Sequence, residues 1–244
     1  MKVAMMQPAF LPWQGFFALI QSSDLFIFLD DFQFSIQSHH QRNKLLIDFD
    51  TPGWYTVTVK KKEAFQKKIN EVSPFDDTNW RVKTAKRIQQ NYGKSTYFKP
   101  VFEIISRTLE QEGSLAEINI FFIKEVSKYL GWEPRFINSS SLTVDGRRSE
   151  RVINLLKATN ATEYLSAYGS FSYMQEDHFV DKTDIIPFFL KYEPGQYAQS
   201  NTQEFISHLS IADALFNIGP QATAELIEKS TSWLSWQEMA AQGI

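Results

Sequence analysis

The sequence has no cysteine and no long hydrophobic run, and its positive and negative charges nearly balance. The absence of cysteine among 244 residues excludes a disulfide scaffold and a zinc site built from thiolates. No stretch approaches the roughly 18 apolar residues of a membrane-spanning helix, and no long apolar run precedes Gln7 and Pro8. We therefore predict no membrane span, no secretory signal and a cytoplasmic location. The net charge of −3 gives no overall signal for nucleic acid.

Several motifs of common enzyme classes are also missing. The sequence contains neither a GxGxxG fingerprint nor a P-loop. Ser166 lacks the flanking glycines of a nucleophile elbow, which disfavours a serine hydrolase. His39 and His40 are adjacent and would point to different sides of a strand, so we expect surface histidines and no resident metal site.

Aromatic residues are abundant, with 21 phenylalanines, nine tyrosines and six tryptophans. A chain of this length buries about 73% of the surface that it exposes when unfolded, so a sizeable core is possible. The aromatic residues therefore predict a phenylalanine-rich core. The alternative is that some of them line a ligand cleft.

The hydrophobic pattern predicts an α/β fold with a parallel-sheet core. Two strand-like runs, Val3–Met6 and Leu25–Leu29, are separated by 18 residues that contain the compact apolar segment Gly15–Ile20. Parallel strands need a crossover of about this length. Further strands are predicted at Thr56–Val59, after a turn at Thr51–Trp54, and at Glu133–Asn138, Glu163–Ser166 and Ile185–Tyr192.

Three consecutive helices without an intervening strand predict a helical insertion at about residues 78–130 in a single domain of residues 1–244. Apolar residues recur every four positions from Trp80 to Tyr92, and a similar pattern covers Phe98–Glu112. Ser114 and Glu117 have the spacing of a capping box. Later helices are predicted to begin at Ser149 and to cover Ile211–Asn217 between a Ser210 cap and Gly219-Pro220, and two short helical segments complete the chain.

Charge is distributed unevenly along the chain. Residues 60–99 contain eleven Lys or Arg and four Asp or Glu, a local charge of +7, so the remaining residues sum to −10. This segment is either a solvated helix face and loop or a patch that faces an anionic ligand such as a nucleotide or sugar nucleotide. No RNA-binding motif accompanies it, so nucleic acid is the least favoured partner.

Polar residues that follow the first two strands form the candidate site. Ligands of open α/β sheets bind beyond the carboxyl ends of the strands. A helix start at Gly15 would present N–H groups to an anion, Asp30 and Asp31 could hold Mg²⁺ or accept sugar hydroxyls, and Arg42 could fork onto phosphate. Asp30, Asp31 and Arg42 are the predicted catalytic residues. The alternative is that the two aspartates only form the turn at the end of a strand and that Arg42 lies in an exposed turn. The residues expected to converge on one cleft are Gln7, Asp30, Asp31, Gln33, Arg42 and Asn43.

A second polar cluster, Ser166–Tyr173, follows a later predicted strand. Its hydroxyl groups could bind a sugar or phosphate, and a glycine permits a tight turn. The predicted substrate- or nucleotide-binding residues are Gln7, Pro8, Gly15, Gln33, Asn43, Ser166, Tyr168, Gly169 and Tyr173.

Several segments together resemble the WbqC-like family. Two departures are His39-His40, where a Gly-Trp-like pair is expected, and Ala167, where relatives tend to carry glycine. The resemblance implies a role in the biosynthesis of surface polysaccharides or amino sugars. The segments that carry it are residues 6–17, 30–34, 41–44, 163–166 with Gly169 and Tyr173, Tyr197 with Gln199, and 209–219.

The N-terminal layout is also similar, more weakly, to the HUP-type fold of pantoate ligases and nucleotidylyltransferases. The sequence pattern of residues 26–34 is similar to that of a pantoate ligase segment. Residues 13–16 stand at the position of the HxGH motif but contain neither of its histidines. This likeness implies a HUP- or Rossmann-like parallel sheet that binds a nucleotide, without phosphate stabilisation by those imidazoles.

These observations predict a transferase that acts on a small molecule. It would move an acyl, aminoacyl or nucleotidyl group, with a nucleotide or amino sugar as substrate and with Mg²⁺ accompanying a nucleotide. The absence of an obvious nucleophile favours positioning of reactants over covalent catalysis. The alternative is a non-catalytic protein that binds a glycan or nucleotide sugar, or one that is an assembly partner of a glycosyltransferase. The sequence leaves the oligomeric state open.

Overall fold

A computed structural model describes residues 1–242, in which a six-stranded sheet and a two-stranded sheet are flanked by helices. In the large sheet, one edge strand is antiparallel to its neighbour and the other strands are parallel. This confirms the predicted parallel α/β core. In spatial order, the large sheet consists of β5 (Arg135–Asn138), β2 (Leu25–Phe28), β1 (Lys2–Met6), β6 (Glu163–Ala167), β7 (Ile186–Tyr192) and β8 (Thr231–Ser235). The small sheet pairs β3 (Arg42–Asp48) with β4 (Thr51–Thr56).

The predicted helical insertion is present as three consecutive helices between the small sheet and β5. The Ser114 hydroxyl and the Glu117 carboxylate cap the last of them reciprocally, as their spacing predicts. Among the described residues no helix is both long and apolar enough to cross a membrane. The helices are α1 (Gln14–Ser22), α2 (Lys61–Ala64), the insertion helices α3 (Trp80–Tyr92), α4 (Phe98–Glu110) and α5 (Leu115–Tyr129), then α6 (Arg148–Ala158), α7 (Phe171–Glu176), α8 (Ile211–Lys229) and α9 (Trp236–Ala241).

Alternating side chains of the strands divide the core into two layers. In β1, Ala4 packs into a layer shared with α1, the insertion and α8. Val3 and Met5 point to the opposite face and pack with α6 and α7. Because both faces of the sheet are covered, its strands read as continuous apolar runs. This is why β1 and β2 were recognisable in the sequence.

The prediction of a turn at Thr51–Trp54 followed by a strand at Thr56–Val59 is wrong. The segment predicted as a turn belongs to β4 itself, which ends at Thr56, and β3 begins at Arg42, within a predicted loop. The hairpin turns earlier, at Asp50, whose φ of 51° is left-handed. Pro52 is tolerated in β4 because this part of the strand is exposed.

The C-terminal prediction also needs correction. Helix α8 does not stop at Gly219 but kinks there, since Gly219 adopts a φ of 74° and Pro220 begins the next helical stretch without needing an N–H donor. The sequence between α8 and α9 forms β8, a strand that the expected pair of helical segments omits.

The order of the strands locates the ligand-binding edge of the sheet. The chain builds outward from β1 through β2 to β5 on one side, and then crosses to β6 on the other side of β1. The direction of winding therefore changes between β1 and β6. A crevice for ligands is expected at the carboxyl ends of those two strands.

Candidate functional site

A cavity of about 500 Å³, called cavity A here, opens at the carboxyl ends of β1, β6 and β7. Its position agrees with the crossing point in the sheet. Its lining combines apolar and aromatic side chains with several polar groups. The apolar and aromatic side chains include Met6, Trp13, Phe16, Leu19, Leu190 and Tyr192, and the polar groups include Gln7, Ser38, His39, His40, Asn43 and Lys191.

Gln7, the residue after β1, is held in cavity A by His40. The Ser35 backbone N–H donates to His40 Nδ1 at 3.2 Å. The proton of the neutral imidazole therefore lies on Nε2, which donates to Gln7 Oε1 at 3.0 Å. The amide oxygen of Gln7 is occupied in this way, so its nitrogen is the end of the side chain that remains for a ligand.

His40 is buried, whereas the sequence predicts two surface histidines. Its side chain is 7% exposed, and burial, followed by the neighbouring His39, lowers its pKa from 6.5 to about 4. The prediction is correct for His39, which is exposed at the rim of cavity A. The Asn119 amide also donates to the backbone oxygens of His40 and Pro8, at 2.8 and 3.1 Å. Pro8 itself is buried and serves this loop rather than the cavity wall.

Asn43 brings an unpaired donor to the cavity wall. The residue is only 2% exposed, and its Oδ1 accepts the Lys44 backbone N–H at 2.9 Å. Its Nδ2 atom is buried and lacks a hydrogen-bond partner. Buried amide donors almost always have partners in folded proteins. An acceptor atom of a ligand in cavity A, or an ordered water, would provide one.

Gly15 leaves room for the indole of Trp13, which lines cavity A. A Cβ atom at Gly15 would lie 2.4 Å from the Trp13 indole. The indole also stacks on His208, with ring centroids 5.3 Å apart, and meets Tyr192 edge-on at 5.2 Å. The glycine at the start of α1 therefore allows close packing of an aromatic wall, and the indole lies beside the helix start predicted to bind an anion.

A second cavity of about 310 Å³, called cavity B here, lies on the other side of Gln7. Met6, Gln7 and Ala167 line both cavities. The predicted hydroxyl cluster is divided between them, because Tyr168 lines cavity A and Tyr173 lines cavity B.

The remaining members of the hydroxyl cluster have different surroundings. Ser166 is fully buried, and its Oγ has no partner within hydrogen-bonding distance and angle. Gly169 is exposed, and a Cβ there would meet no other atom within 4 Å. The exposed Tyr168 donates its hydroxyl to Gln242 at 2.6 Å.

Asp30 and Asp31 do not line cavity A, contrary to the expected convergence on one cleft. Asp30 is buried and accepts the Ser140 N–H at 3.0 Å and the Ser140 hydroxyl at 2.6 Å. Asp31 accepts a hydrogen bond from Ser139 and forms an ion pair with Arg151. Both carboxylates therefore anchor the turn after β5 and the helix α6.

Binding of Mg²⁺ by Asp30 and Asp31 stays a prediction, and both carboxylates already have partners within the protein. The groups around Asp30 are hydrogen-bond donors, which satisfy an anion without a cation. Within residues 1–242, no group of three or more histidine, aspartate or glutamate side chains is arranged to hold a metal ion.

Two further predicted residues lie outside cavity A. Gln33 is exposed and forms an isolated antiparallel bridge with Lys68. Arg42 is on the outer face of β3, where its guanidinium lies 4.2 Å from the ring centroid of Trp54. Since Arg42 and Asn43 are successive residues of a strand, their side chains point to opposite faces. The two residues are adjacent in the sequence, but their side chains lie on different surfaces of the strand.

Comparison with known proteins gives one family and one distant relative. Residues 7–225 match the model of the WbqC-like protein family. The chain belongs to the WbqC-like family. It is also similar to a Mycobacterium tuberculosis protein described as uncharacterized, with 30% identity over 223 residues that cover 91% of this chain and 95% of that protein. No solved structure matches the chain.

The stretch matched by the WbqC-like model begins at Gln7, one of the residues that line both cavities, and ends in α8. That helix contains a buried polar centre that sequence reasoning did not identify. Asp213 is fully buried and accepts hydrogen bonds from the Tyr92 and Tyr197 hydroxyls, both at 2.7 Å, and from the Gln199 amide at 2.9 Å. Burial raises the pKa of Asp213, while these donors oppose the shift.

The same centre is tied to β3, the strand that carries Asn43. The Tyr92 hydroxyl accepts the Leu46 backbone N–H at 3.0 Å while it donates to Asp213. The WbqC-like segments around Tyr197 and residues 209–219 are therefore bonded to the strand that carries Asn43. The sequence contains one signal for this buried centre. An aspartate stands inside an apolar helical pattern, and tyrosines that could bond to it occur elsewhere in the chain.

Proposed function

We propose that this WbqC-like protein is a transferase of surface-polysaccharide or amino-sugar biosynthesis that binds a nucleotide or nucleotide-sugar ligand in cavity A. The observation that carries the proposal is Asn43, which lines this cavity and has a buried Nδ2 without a hydrogen-bond partner. Bases, sugars and phosphates all offer acceptor atoms for such a donor.

The composition of the cavity supports a ligand with a flat or apolar part and a polar part. Trp13 and Tyr192 supply aromatic surface, while Gln7 and Asn43 supply amide donors and Lys191 adds a cation. A mostly apolar cavity with a few placed polar groups is typical of small-molecule sites. The volume of about 500 Å³ is within the usual range for such ligands.

In this proposal catalysis depends on positioning. Gln7 would orient the ligand at the boundary between cavities A and B, since it lines both. An acceptor in cavity B would then meet a donor in cavity A at the end of β1. Holding two reactants in a productive orientation accelerates transfer without a covalent enzyme intermediate. The transferred group would be acyl, aminoacyl or nucleotidyl.

A binding protein without turnover is the second candidate, and one observation favours it. The two carboxylates expected to act in catalysis, Asp30 and Asp31, are bonded to the turn after β5 and do not line cavity A. On this reading, the same cavity recognises a nucleotide sugar or a glycan.

A thermal-shift panel tests the ligand. ATP, CTP, UDP-sugars and dTDP-sugars would each be added with and without Mg²⁺. A ligand at 100 times its Kd adds about 2.7 kcal/mol of stability, which a melting curve resolves. We expect at least one nucleotide or nucleotide sugar to raise the Tm. No shift with any of them would overturn the nucleotide proposal and favour a glycan-binding or assembly role.

The variant Asn43→Leu tests whether that ligand binds in cavity A. It removes the unpaired donor together with the acceptor of the Lys44 backbone N–H and keeps similar volume, so we expect the free energy of unfolding without ligand to fall by about 1–2 kcal/mol. The ligand-induced shift should be lost. Gln33→Ala is the matched control, because Gln33 is exposed and lies outside the cavity. A full ligand shift in Asn43→Leu would locate the ligand elsewhere. The protein is then incubated with the ligand and an amino-sugar acceptor. Mass spectrometry detects a transferred group if the protein is a transferase and none if it only binds the ligand.

A further inference from the structure

A separate groove lies between β4 and α3, on the outer side of the small sheet. Its volume is about 210 Å³. Trp54 and Trp80 form two of its walls, and Lys83 and Arg87 project from α3, one helical turn apart. Threonines contribute its other polar surface. This threonine groove is lined by Thr56, Thr58, Thr78 and Thr84 in addition to the residues just named.

The cations around the threonine groove are not neutralised by the protein. Among residues 1–242, Lys83 and Arg87 form no ion pair, and neither do Arg42 and Lys44 on the adjacent strand β3. Two acids directly precede Thr78: Asp76 is already bonded to the Trp80 indole N–H at 2.8 Å and paired with Arg81 at 2.7 Å, and Asp77 is exposed. An excess of positive charge is therefore concentrated here.

Aromatic rings hold several of these cations in place. The Arg42 guanidinium and the Lys44 ammonium lie 4.2 and 5.2 Å from the ring centroid of Trp54. The Arg87 guanidinium lies 5.5 Å from the ring of Tyr55. Such contacts restrict long side chains before a ligand arrives, which reduces the entropy lost on binding. Trp54 is nevertheless 39% exposed and lines the groove.

We propose that the threonine groove binds a sugar that carries a negative charge, either a phosphate or a carboxylate. The exposed Trp54 ring would pack on the apolar face of the sugar. The hydroxyls of Thr56, Thr58 and Thr78 would exchange hydrogen bonds with those of the sugar. Lys83 and Arg87 would bind the anionic group. The groove shares no lining residue with cavity A, and the ring of His39, which lines cavity A, is 5.9 Å from that of Trp54.

Titration of the full chain with four small probes tests this site. The probes are glucose 6-phosphate, glucuronate, glucose and inorganic phosphate, followed by tryptophan fluorescence and calorimetry. We expect saturable 1:1 binding of glucose 6-phosphate or glucuronate, at least about tenfold tighter than glucose or phosphate, which corresponds to about 1.4 kcal/mol. Which acidic sugar binds more tightly identifies the anionic group. Higher salt should weaken the binding.

Three variants locate the bound probe. Trp54→Ala, Lys83→Gln and Arg87→Gln alter exposed side chains, so the fold should persist. Each should weaken binding of the acidic sugar by about tenfold or more. Lys157→Gln removes an exposed lysine from α6 and should leave binding unchanged. Asn43→Leu, which tests cavity A, should also leave binding of the acidic sugar unchanged. The proposals for the two sites can therefore be refuted independently.

Three results would overturn the proposal. The first is the absence of saturable binding by both acidic sugars. The second is equal binding of glucose or of inorganic phosphate, which would indicate a neutral glycan site or an unspecific anion site. The third is unaltered binding in Trp54→Ala and Arg87→Gln, which would place the sugar elsewhere.

Discussion

At the scale of single residues, His40 links stability to the shape of cavity A. Burial lowers its pKa to about 4, below the ordinary value of 6.5, so between these values the folded protein binds fewer protons than the unfolded chain. Stability is therefore lost as pH falls from 6.5 through 4. The shift corresponds to about 3 kcal/mol. Urea unfolding at pH 7.5 and 4.5 should show this decrease in the free energy of unfolding.

The comparison with two variants isolates His40 from carboxylates that titrate in the same range. His40→Gln should reduce the pH dependence by about 3 kcal/mol. His178→Gln, at an exposed position, should retain it. An identical pH dependence in wild type and His40→Gln would refute the assignment.

A second prediction at this scale concerns Gly15. In Gly15→Ala the new methyl group would overlap the Trp13 indole at 2.4 Å, so the indole must move. We expect a loss of about 1–3 kcal/mol in unfolding free energy, together with weaker binding in cavity A. Gly169→Ala is the control, since the added methyl would enter open space. If both variants unfold alike, Trp13 does not require the glycine.

At the scale of elements, the centre around Asp213 attaches α8 to α3 and β3. Asp213→Ala would leave the Tyr92 and Tyr197 hydroxyls and the Gln199 amide buried without their acceptor. We expect a loss of about 3 kcal/mol or more. Tyr197→Phe removes a single donor and should cost about 1–2 kcal/mol. Chemical denaturation measures both.

The control for this prediction is Glu225→Gln, an acid on the exposed side of the same helix that pairs with Lys229 at 3.7 Å. It should change unfolding by less than about 0.5 kcal/mol. An Asp213→Ala variant as stable as Glu225→Gln would show that the buried hydrogen bonds contribute nothing net.

Some elements could be predicted from local sequence and others could not. The cap of α5 depends on Ser114 and Glu117, three residues apart, so short-range chemistry is sufficient. The small sheet depends on pairing across a turn at Asp50, while the nearby Pro52 and Gly53 resemble a turn themselves. Local turn preference was overruled there by cross-strand pairing, which a single segment does not reveal.

At the scale of the whole molecule, the C-terminal segment completes the second core layer. Met239 is fully buried in that layer, and Trp236 packs on Phe171 with centroids 4.9 Å apart. Deleting residues 231–244 would also leave an edge of β7 unpaired. We expect the truncated chain to unfold several kcal/mol more easily and to aggregate. Light scattering and thermal unfolding test this, and an unchanged Tm would contradict it.

The candidate site shows the limit of prediction at this scale. The location of the cavity follows from parallel strands and their order, so Gln7 and Asn43 could be placed in it from the sequence. The partners of Asp30 and Asp31 could not, because Ser139, Ser140 and Arg151 are more than 100 residues away in the chain. Polar residues at a strand end are equally suited to a ligand and to a distant turn, and only the tertiary fold decides between them.

The position of β1 in the sheet has a consequence for synthesis on the ribosome. One edge of β1 pairs with β2 soon after both emerge, but its other edge waits for β6, which begins at Glu163. Until then the nascent chain exposes an apolar, unpaired strand edge of the kind that molecular chaperones cover. The crevice beside Gln7 is therefore among the last parts of the protein to form, and a ribosome-bound chain that stops before β6 has no site to offer a ligand.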